Sequence, residues 1–204
     1  MAADRPAPRL YLVAPPVLDR AGLDRLAAVL DAEAVACVRL DPPGGDADAV
    51  ARAAEAGRDA AAARGVPVVI TDHAGLVRPL GLDGLHLRDG RALGKLRRDW
   101  GDAPILGAWC GASRHDGLVA GEAGADYVAF GPAAPSPLGG AVAEASLFAW
   151  WDEMVEVPVV AEGALDVGTV ERLAPVVDFF AVGPEIWSAA EPVTALRALT
   201  APLR

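Results

Sequence analysis

Eight short apolar runs alternate with alanine-rich stretches of helical spacing, and this alternation constrains the fold of the chain more than any other feature. The runs are LYLVA (10–14), VACVRL (35–40), VPVVIT (66–71), GLHL (84–87), APILGAW (103–109), DYVAF (126–130), VPVVAE (157–162) and DFFAV (178–182). After the first run, Leu23, Leu26 and Leu30 fall on one helical face. Asp46 is placed to cap the next helix. Strand followed by helix, repeated eight times, predicts a parallel sheet with right-handed crossovers.

A parallel sheet of eight such units that closes on itself is a single-domain (β/α)8 TIM barrel, which we predict for residues 1–204 as one domain. The alternative is an open doubly wound parallel sheet. The chain has 204 residues, at the short end for the barrel, and no shift in composition marks a linker. In both folds ligands bind at the carboxyl ends of the strands, so functional residues are expected there.

Composition excludes several classes of function. The net charge of −10 argues against nucleic-acid binding, which needs a basic face. No apolar run reaches 18 residues, so no membrane-spanning helix is expected. The opening MAADRPAPRL lacks the apolar core of a signal peptide, and Cys37 and Cys110 suit reduced thiols better than a disulfide framework. These features predict a cytoplasmic protein that binds a small molecule.

An arginine inside the second run is unusual for a strand that faces the interior. Alternation places Cys37, Arg39 and Asp41 on one face, which is the inside of the predicted barrel. A buried arginine needs a partner, because an unpaired buried charge is very costly. Either Asp41 or Asp72 could pair with it, or an anionic substrate could do so, and the residues alone leave both possibilities open.

The three histidines and the single lysine differ in how well they are placed for catalysis. His73 follows the third run and is the histidine best placed for acid–base chemistry. His86, within GLHL, is expected in the core or wall of the barrel, and His115 on the surface. Lys95 lies in the helix after the fourth run, not at a strand end, which argues against Schiff-base chemistry.

Several longer segments carry a resemblance to a known family. In order and spacing, the chain resembles thiamine phosphate synthase and its relative the thiazole tautomerase through the segments VACVRLD, PVVITDHAGL, LGLDGLHLRDGRAL, AGEAGADYVAFGP and VPVVAEGAL…VDFFAVGPEIW. The likeness covers residues 10–190, and EAGADYVAFGP is its most specific part. The family enzyme joins a pyrimidine diphosphate to a thiazole phosphate as diphosphate leaves. The resemblance therefore implies a transferase of thiamine biosynthesis that uses Mg²⁺, with a homodimer as the family's usual state.

The resemblance also implies roles for individual residues. Arg39 and Asp72 are the candidate catalytic residues, and Asp72 and Asp89 are the candidate magnesium ligands. The candidate substrate-binding residues are Thr71, His73, Trp109, Ser136, Gly163, Ala164 and Gly183. Of these, Gly163, Ala164 and Gly183 match the family's backbone nest for the thiazole phosphate.

Other positions depart from the family pattern. Asp41 stands where the family has a lysine, and Arg91 where it has a second metal aspartate. Trp109 replaces a small polar residue, and Gly111 replaces the histidine on which the tautomerase relies. In the loop after the sixth run, Ser136 alone remains of the two hydroxyls and one lysine that grip the diphosphate. The family fold with a degenerate active site is therefore expected.

Three interpretations of function stay open. The chain could be a divergent but working synthase, as Arg39, Asp72 and Ser136 indicate. It could use its pocket for a less anionic small molecule, which the acids Asp41, Glu162 and Glu185 favour, as does the ring of Trp109. It could also be a non-catalytic binding or regulatory relative, so enzymatic activity is left undecided by the sequence.

Overall fold

The structure is a computed structural model that describes residues 6–135 and 140–204. Within these residues, eight parallel strands close into a barrel in chain order. The strands are β1 (Arg9–Val13), β2 (Val35–Leu40), β3 (Val68–Thr71), β4 (Gly84–Leu87), β5 (Ile105–Trp109), β6 (Tyr127–Phe130), β7 (Val159–Glu162) and β8 (Phe179–Val182). The predicted TIM barrel is confirmed, and the open-sheet alternative is wrong because β8 pairs with β1, with Leu10 opposite Phe180.

Helices surround the barrel and connect its strands. They are α1 (Arg20–Ala32), α2 (Ala47–Ala62), α3 (Ala74–Leu80), α4 (Leu93–Trp100), α5 (Arg114–Glu122), α6 (Ala145–Met154), α7 (Val167–Leu173), α8 (Pro184–Trp187) and α9 (Pro192–Leu199), with 3₁₀ turns at Gly90–Ala92, Ala174–Val176 and Ala201–Leu203. The predicted cap is confirmed, since the Asp46 carboxylate accepts the Ala49 N–H at 3.0 Å. Among the described residues, no helix is long and apolar enough to cross a membrane.

The short helix α8 connects the carboxyl ends of the last and the first strand through hydrogen bonds. The indole Nε1 of Trp187 donates a hydrogen bond of 2.7 Å to the carbonyl of Val13 at the end of β1. Arg25 on α1 donates to the carbonyls of Trp187 and Ala189 at 2.5 and 2.8 Å. These contacts hold the carboxyl ends of β8 and β1 together, next to the place where a site is expected.

The core has two layers because side chains of a barrel strand alternate between its two faces. The outer layer lies between strands and helices, where Phe130 packs edge-on against Trp151 with ring centroids 5.0 Å apart. The inner layer fills the barrel and comprises Tyr11, Val13, Cys37, Val69, Tyr127, Ala129, Val160 and Ala181. The predicted interior position of Cys37 is therefore confirmed.

Gly107 on β5 makes room for an aromatic ring of the inner layer. A Cβ atom at this position would lie 2.0 Å from Cζ of Tyr127. We expect Gly107→Ala to lower the free energy of unfolding by about 1–3 kcal/mol, because the ring is enclosed by neighbouring strands and cannot move away freely. Urea denaturation measures the change.

The matched control for this substitution is Gly75→Ala on α3, where an added Cβ meets no atom within 4 Å. Alanine is the better helix former, so the control should hold or raise stability. Equal destabilisation by both substitutions would contradict the steric argument.

Candidate functional site

A small cavity opens at the carboxyl ends of the strands, the end of the barrel predicted to carry the site. Its volume is about 190 Å³, and the residues that line it are Arg39, Asp41, Thr71, His86, Arg88, Trp109 and Glu162. The lining comes from β2, β3, β4, β5 and β7 or from the residues that directly follow them. Ligand pockets for larger molecules span roughly 300–1,000 Å³, so this cavity suits a single small ring.

Arg39 is paired across the barrel with Glu162, the last residue of β7. Its Nη1 lies 2.8 Å from Oε2 and its Nη2 lies 2.5 Å from Oε1, which is a bidentate arrangement. Arg39 is only 5% exposed, so the predicted interior position is confirmed. The predicted partners, Asp41 or Asp72, are wrong as the main partner: Asp41 approaches Nη2 only to 4.0 Å. Asp72 instead turns towards Arg88.

A chain of hydrogen bonds runs from this ion pair into the barrel. Nη1 of Arg39 lies 3.3 Å from Nε2 of His86, whose Nδ1 lies 2.9 Å from the hydroxyl of Tyr127. That hydroxyl is 2.7 Å from the hydroxyl of Tyr11. Since a guanidinium can only donate, Nε2 of His86 accepts, and the proton of the neutral ring is on Nδ1, which donates to Tyr127.

Burial shifts the pKa of each titratable group along this chain. Burial, reinforced by the Arg39 cation, lowers the pKa of His86 well below 6.5. Burial also raises the pKa of Tyr11 and of Tyr127 above 10.0. The imidazole is therefore neutral and both phenols are protonated near pH 7. The prediction that His86 belongs to the wall of the barrel is confirmed, and it also borders the cavity.

One buried hydroxyl that faces the cavity is without a partner. Thr71 is 2% exposed, and its Oγ1 has no hydrogen bond within the described part of the chain. The same holds for Nε of Arg39, whose other two nitrogens bind Glu162. Buried polar atoms without partners are costly, so these two atoms are suited to bind a ligand.

The two candidate magnesium ligands are each engaged by an arginine. Oδ1 of Asp72 accepts the backbone N–H of Arg88 at 3.0 Å, and its Oδ2 lies 3.5 Å from Nη1 of that residue. Asp89 accepts Nε of Arg91 at 2.6 and 2.9 Å, and these hydrogen bonds lower the pKa of Asp89 to about 2. Asp41 forms a further ion pair with Arg88.

As they lie, these side chains do not fit a preformed magnesium site. In residues 6–135 and 140–204, no three His, Cys, Asp or Glu side chains are grouped to hold a metal ion. Mg²⁺ commonly uses one or two carboxylates together with substrate phosphates, but here the carboxylates already serve as acceptors for Arg88 and Arg91. Metal binding by Asp72 and Asp89 stays a prediction.

Trp109, at the end of β5, separates two depressions. It lines the small cavity and also a neighbouring depression of about 550 Å³ between the loops after β4 and β5. A Cβ on Gly131 would lie 2.7 Å from Cη2 of Trp109 and 2.1 Å from the carbonyl oxygen of Glu162. Glycine at 131 therefore lets the loop after β6 pass between the indole and β7, which fixes one side of the ring.

The candidates for the phosphate nest lie at the ends of β7 and β8. Gly163 and Ala164 have positive φ angles of 79° and 55°. The N–H of Gly183 donates to Oε2 of Glu185 at 3.0 Å, and the N–H of Leu165 lies 3.3 Å from Oε1 of the same carboxylate. A protein carboxylate therefore occupies two backbone donors at the ends of these strands, those of Gly183 and Leu165.

The structure brings only some of the predicted residues together. Arg39, Thr71 and Trp109 line one cavity. His73 precedes α3 and lies outside that lining. The candidate Ser136 falls outside the described residues.

Sequence reasoning missed Glu162 as the partner of Arg39 and gave no role to Arg88. A signal for Glu162 was present, because it shares the inward parity of Val160, two residues earlier in β7. Arg88 directly follows the strand that carries His86 and lines the same cavity.

The closed parallel barrel defines a TIM-barrel protein, and its polar cavity lies at the carboxyl ends of the strands, where barrels of this fold usually carry their active sites. Residues 10–186 match the family model described as Thiamine monophosphate synthase. The chain belongs to this family, and the resemblance inferred from its sequence motifs is confirmed.

Individual relatives agree with this placement. The chain is 40% identical over 185 residues to the thiamine-phosphate synthase of Rhodospirillum centenum, covering 88% of this chain and 89% of the relative. It is 37% identical over 214 residues to that of Hyphomonas neptunium, covering 98% and 96%. The solved thiamine phosphate pyrophosphorylase from Pyrococcus furiosus superposes with a TM-score of 0.83 at 18% identity, covering 96% and 95% of the two chains, which supports the fold.

Proposed function

We propose that this family member binds a small heterocycle of low negative charge in the cavity at the carboxyl ends of the strands. In this proposal its site has diverged and no longer couples pyrimidine diphosphate with thiazole phosphate. The bidentate pair between Arg39 and Glu162 carries the proposal. The buried cation that could attract a diphosphate is already neutralised by a carboxylate, and a second anion placed there would meet the charge of Glu162.

The other walls of the cavity support a planar, uncharged ligand with hydrogen-bonding edges. The indole of Trp109 offers an aromatic surface, and the free hydroxyl of Thr71 can donate or accept one hydrogen bond. Glu162 is 18% exposed at its side chain and can accept an N–H from a ring substituent while it holds Arg39. An amino-substituted aromatic ring without a phosphate meets these requirements.

A second candidate function is the coupling reaction itself. The name of the Rhodospirillum centenum relative favours it, at 40% identity over most of both chains. Arg39 and Asp72 are present, and the unpaired Nε of Arg39 could donate to an anionic group. In that case the guanidinium would have to share its charge between Glu162 and the substrate.

A coupling assay separates the two candidates. Purified protein at a concentration comparable to that of the substrates is incubated with both thiamine precursors and Mg²⁺, and thiamine phosphate is measured. We expect no turnover approaching the usual enzymatic range of roughly 1–10³ s⁻¹. Product formed within that range would overturn the proposal and establish the second candidate.

Ligand-dependent thermal stability tests the binding half of the proposal. The pyrimidine alcohol and the thiazole alcohol are compared with their phosphorylated forms, because a ligand that binds only the native state raises the melting temperature. We expect a larger increase with at least one of the alcohols than with its phosphorylated form. Thr71→Val, which removes the unpaired hydroxyl and keeps the shape, should reduce that increase, whereas a larger increase with the diphosphate would contradict the proposal.

A further inference from the structure

Glu185 occupies a position where barrels of this kind often bind a phosphate. In TIM barrels the loops after the seventh and eighth strands, together with a short extra helix, frequently form a phosphate site from backbone N–H groups. Here the loop after β7 supplies the N–H of Leu165, and the loop after β8 supplies the N–H of Gly183. Both point at the carboxylate of Glu185, at 3.3 Å to Oε1 and 3.0 Å to Oε2.

The backbone of the loop after β7 is bent to make this contact. Gly163 and Ala164 are consecutive residues with positive φ, and alanine adopts that conformation rarely. The turn brings the N–H of Leu165 towards a side chain 20 residues further along the chain. Glu185 thus binds one donor from each loop with its two oxygens, as a phosphate would.

The charges nearby also disfavour an anionic ligand. Glu162, at the end of β7, immediately precedes Gly163 and holds Arg39 in a bidentate pair. Arg25, at the far end of α8, directs Nη2 at the carbonyls of Trp187 and Ala189. A phosphate between these loops would therefore meet two carboxylates, while Arg39 and Arg25 already donate to Glu162 and to backbone carbonyls and each keep only a buried Nε without a partner among the described residues.

We propose that Glu185 is a specificity-determining residue, whose carboxylate takes the place of a ligand phosphate and selects a heterocycle that carries none. This inference rests on the proposed function for the identity of the ligand as a heterocycle. A purely structural role for Glu185, as a cap of α8, accounts for its contact with Gly183. The contact with Leu165 connects Glu185 to the loop after β7. It is this second contact that places the carboxylate where an anion would bind.

Phosphate binding by variants tests the inference without any catalytic turnover. Inorganic phosphate is titrated into the wild-type protein, Glu185→Ala and Glu185→Gln by isothermal calorimetry. Replacing Glu185 by alanine frees two N–H donors and removes one negative charge. Glu185→Ala should therefore bind phosphate at least about tenfold more tightly than the wild type. Glu185→Gln keeps the side-chain shape and should show a smaller gain; it also serves if the alanine variant does not fold.

The matched control is Glu122→Ala, which removes one exposed carboxylate from α5 and so makes the same change in net charge. It should leave phosphate affinity at the wild-type value. Unchanged phosphate affinity in both Glu185 variants, or an equal gain in the control, would overturn the inference.

A comparison of two ligands completes the test. The wild type should bind the thiazole alcohol at least as tightly as its phosphate ester, and Glu185→Ala should reverse that order. Tighter binding of the ester by the wild type would overturn the role of Glu185, whatever the coupling assay shows. Conversely, coupling activity would overturn the proposed function, while a gain of phosphate binding in the variants would still support the role of Glu185.

Discussion

Glu162→Gln is expected to lower the free energy of unfolding by about 3–5 kcal/mol, because it leaves a buried guanidinium without its carboxylate. Burial alone would lower the pKa of Arg39, but the charge and hydrogen bonds of Glu162 more than offset it, so the pKa of Arg39 is raised. Removing Glu162 takes away that stabilisation, but the guanidinium stays charged, because arginine is not deprotonated in proteins. Urea denaturation of both proteins at pH 7 measures the difference.

Two further variants identify the cause of that loss. Arg39→Met combined with Glu162→Gln should recover part of it, since the double variant has no unpaired charge in the barrel. Asp99→Asn is the matched control, because it breaks an exposed, solvent-screened ion pair with Lys95 and should cost far less than Glu162→Gln. If Glu162→Gln costs no more than this control, the pair does not stabilise the barrel.

Stability is also expected to fall steeply as the pH decreases below about 6.5, through His86. In the unfolded chain this histidine takes up a proton near its ordinary pKa of 6.5, but in the native state its pKa is well below that value. Below about pH 6.5 the unfolded state binds more protons, so stability falls by up to about 1.4 kcal/mol per pH unit until the native pKa is reached.

Carboxylates also titrate in this range, so the histidine contribution is taken as a difference between variants. Unfolding free energies at pH 7.5 to 4.5 are compared for the wild type, His86→Gln and His115→Gln, which changes an exposed histidine on α5. The slope should decrease in His86→Gln and stay at the wild-type value in His115→Gln. Equal slopes in all three proteins would mean that His86 is protonated in the native barrel.

The fold was predictable because the information for it is local. Each apolar run is short and separated from the next by a helical stretch, and parallel strands joined in this way leave few topologies. Asp46 illustrates the point, since a cap three residues before its donor is visible in the sequence. The boundaries were less accurate: β3 begins at Val68, two residues later than the run that predicted it.

The site was only partly predictable because its decisive contacts are not local. Arg39 and Glu162 are 123 residues apart in sequence. Whether their side chains are in contact depends on which strands face each other across the closed barrel. Inward alternation predicted that Arg39 is buried but could not select among several acids at strand ends. The contact between Asp72 and Arg88 could not be predicted either, because it depends on the rotamer of a side chain at the rim of the barrel.

The pairing of β8 with β1 has a consequence for biosynthesis of the chain. Until β8 is in place, β1 and β7 each present an unpaired strand edge, and such edges template association with other chains. The contact between Trp187 and Val13, 174 residues apart, forms only after nearly the whole barrel has been made. Because contacts of such long range form slowly, we expect a nascent chain that ends before Phe179 to aggregate more readily than the complete barrel.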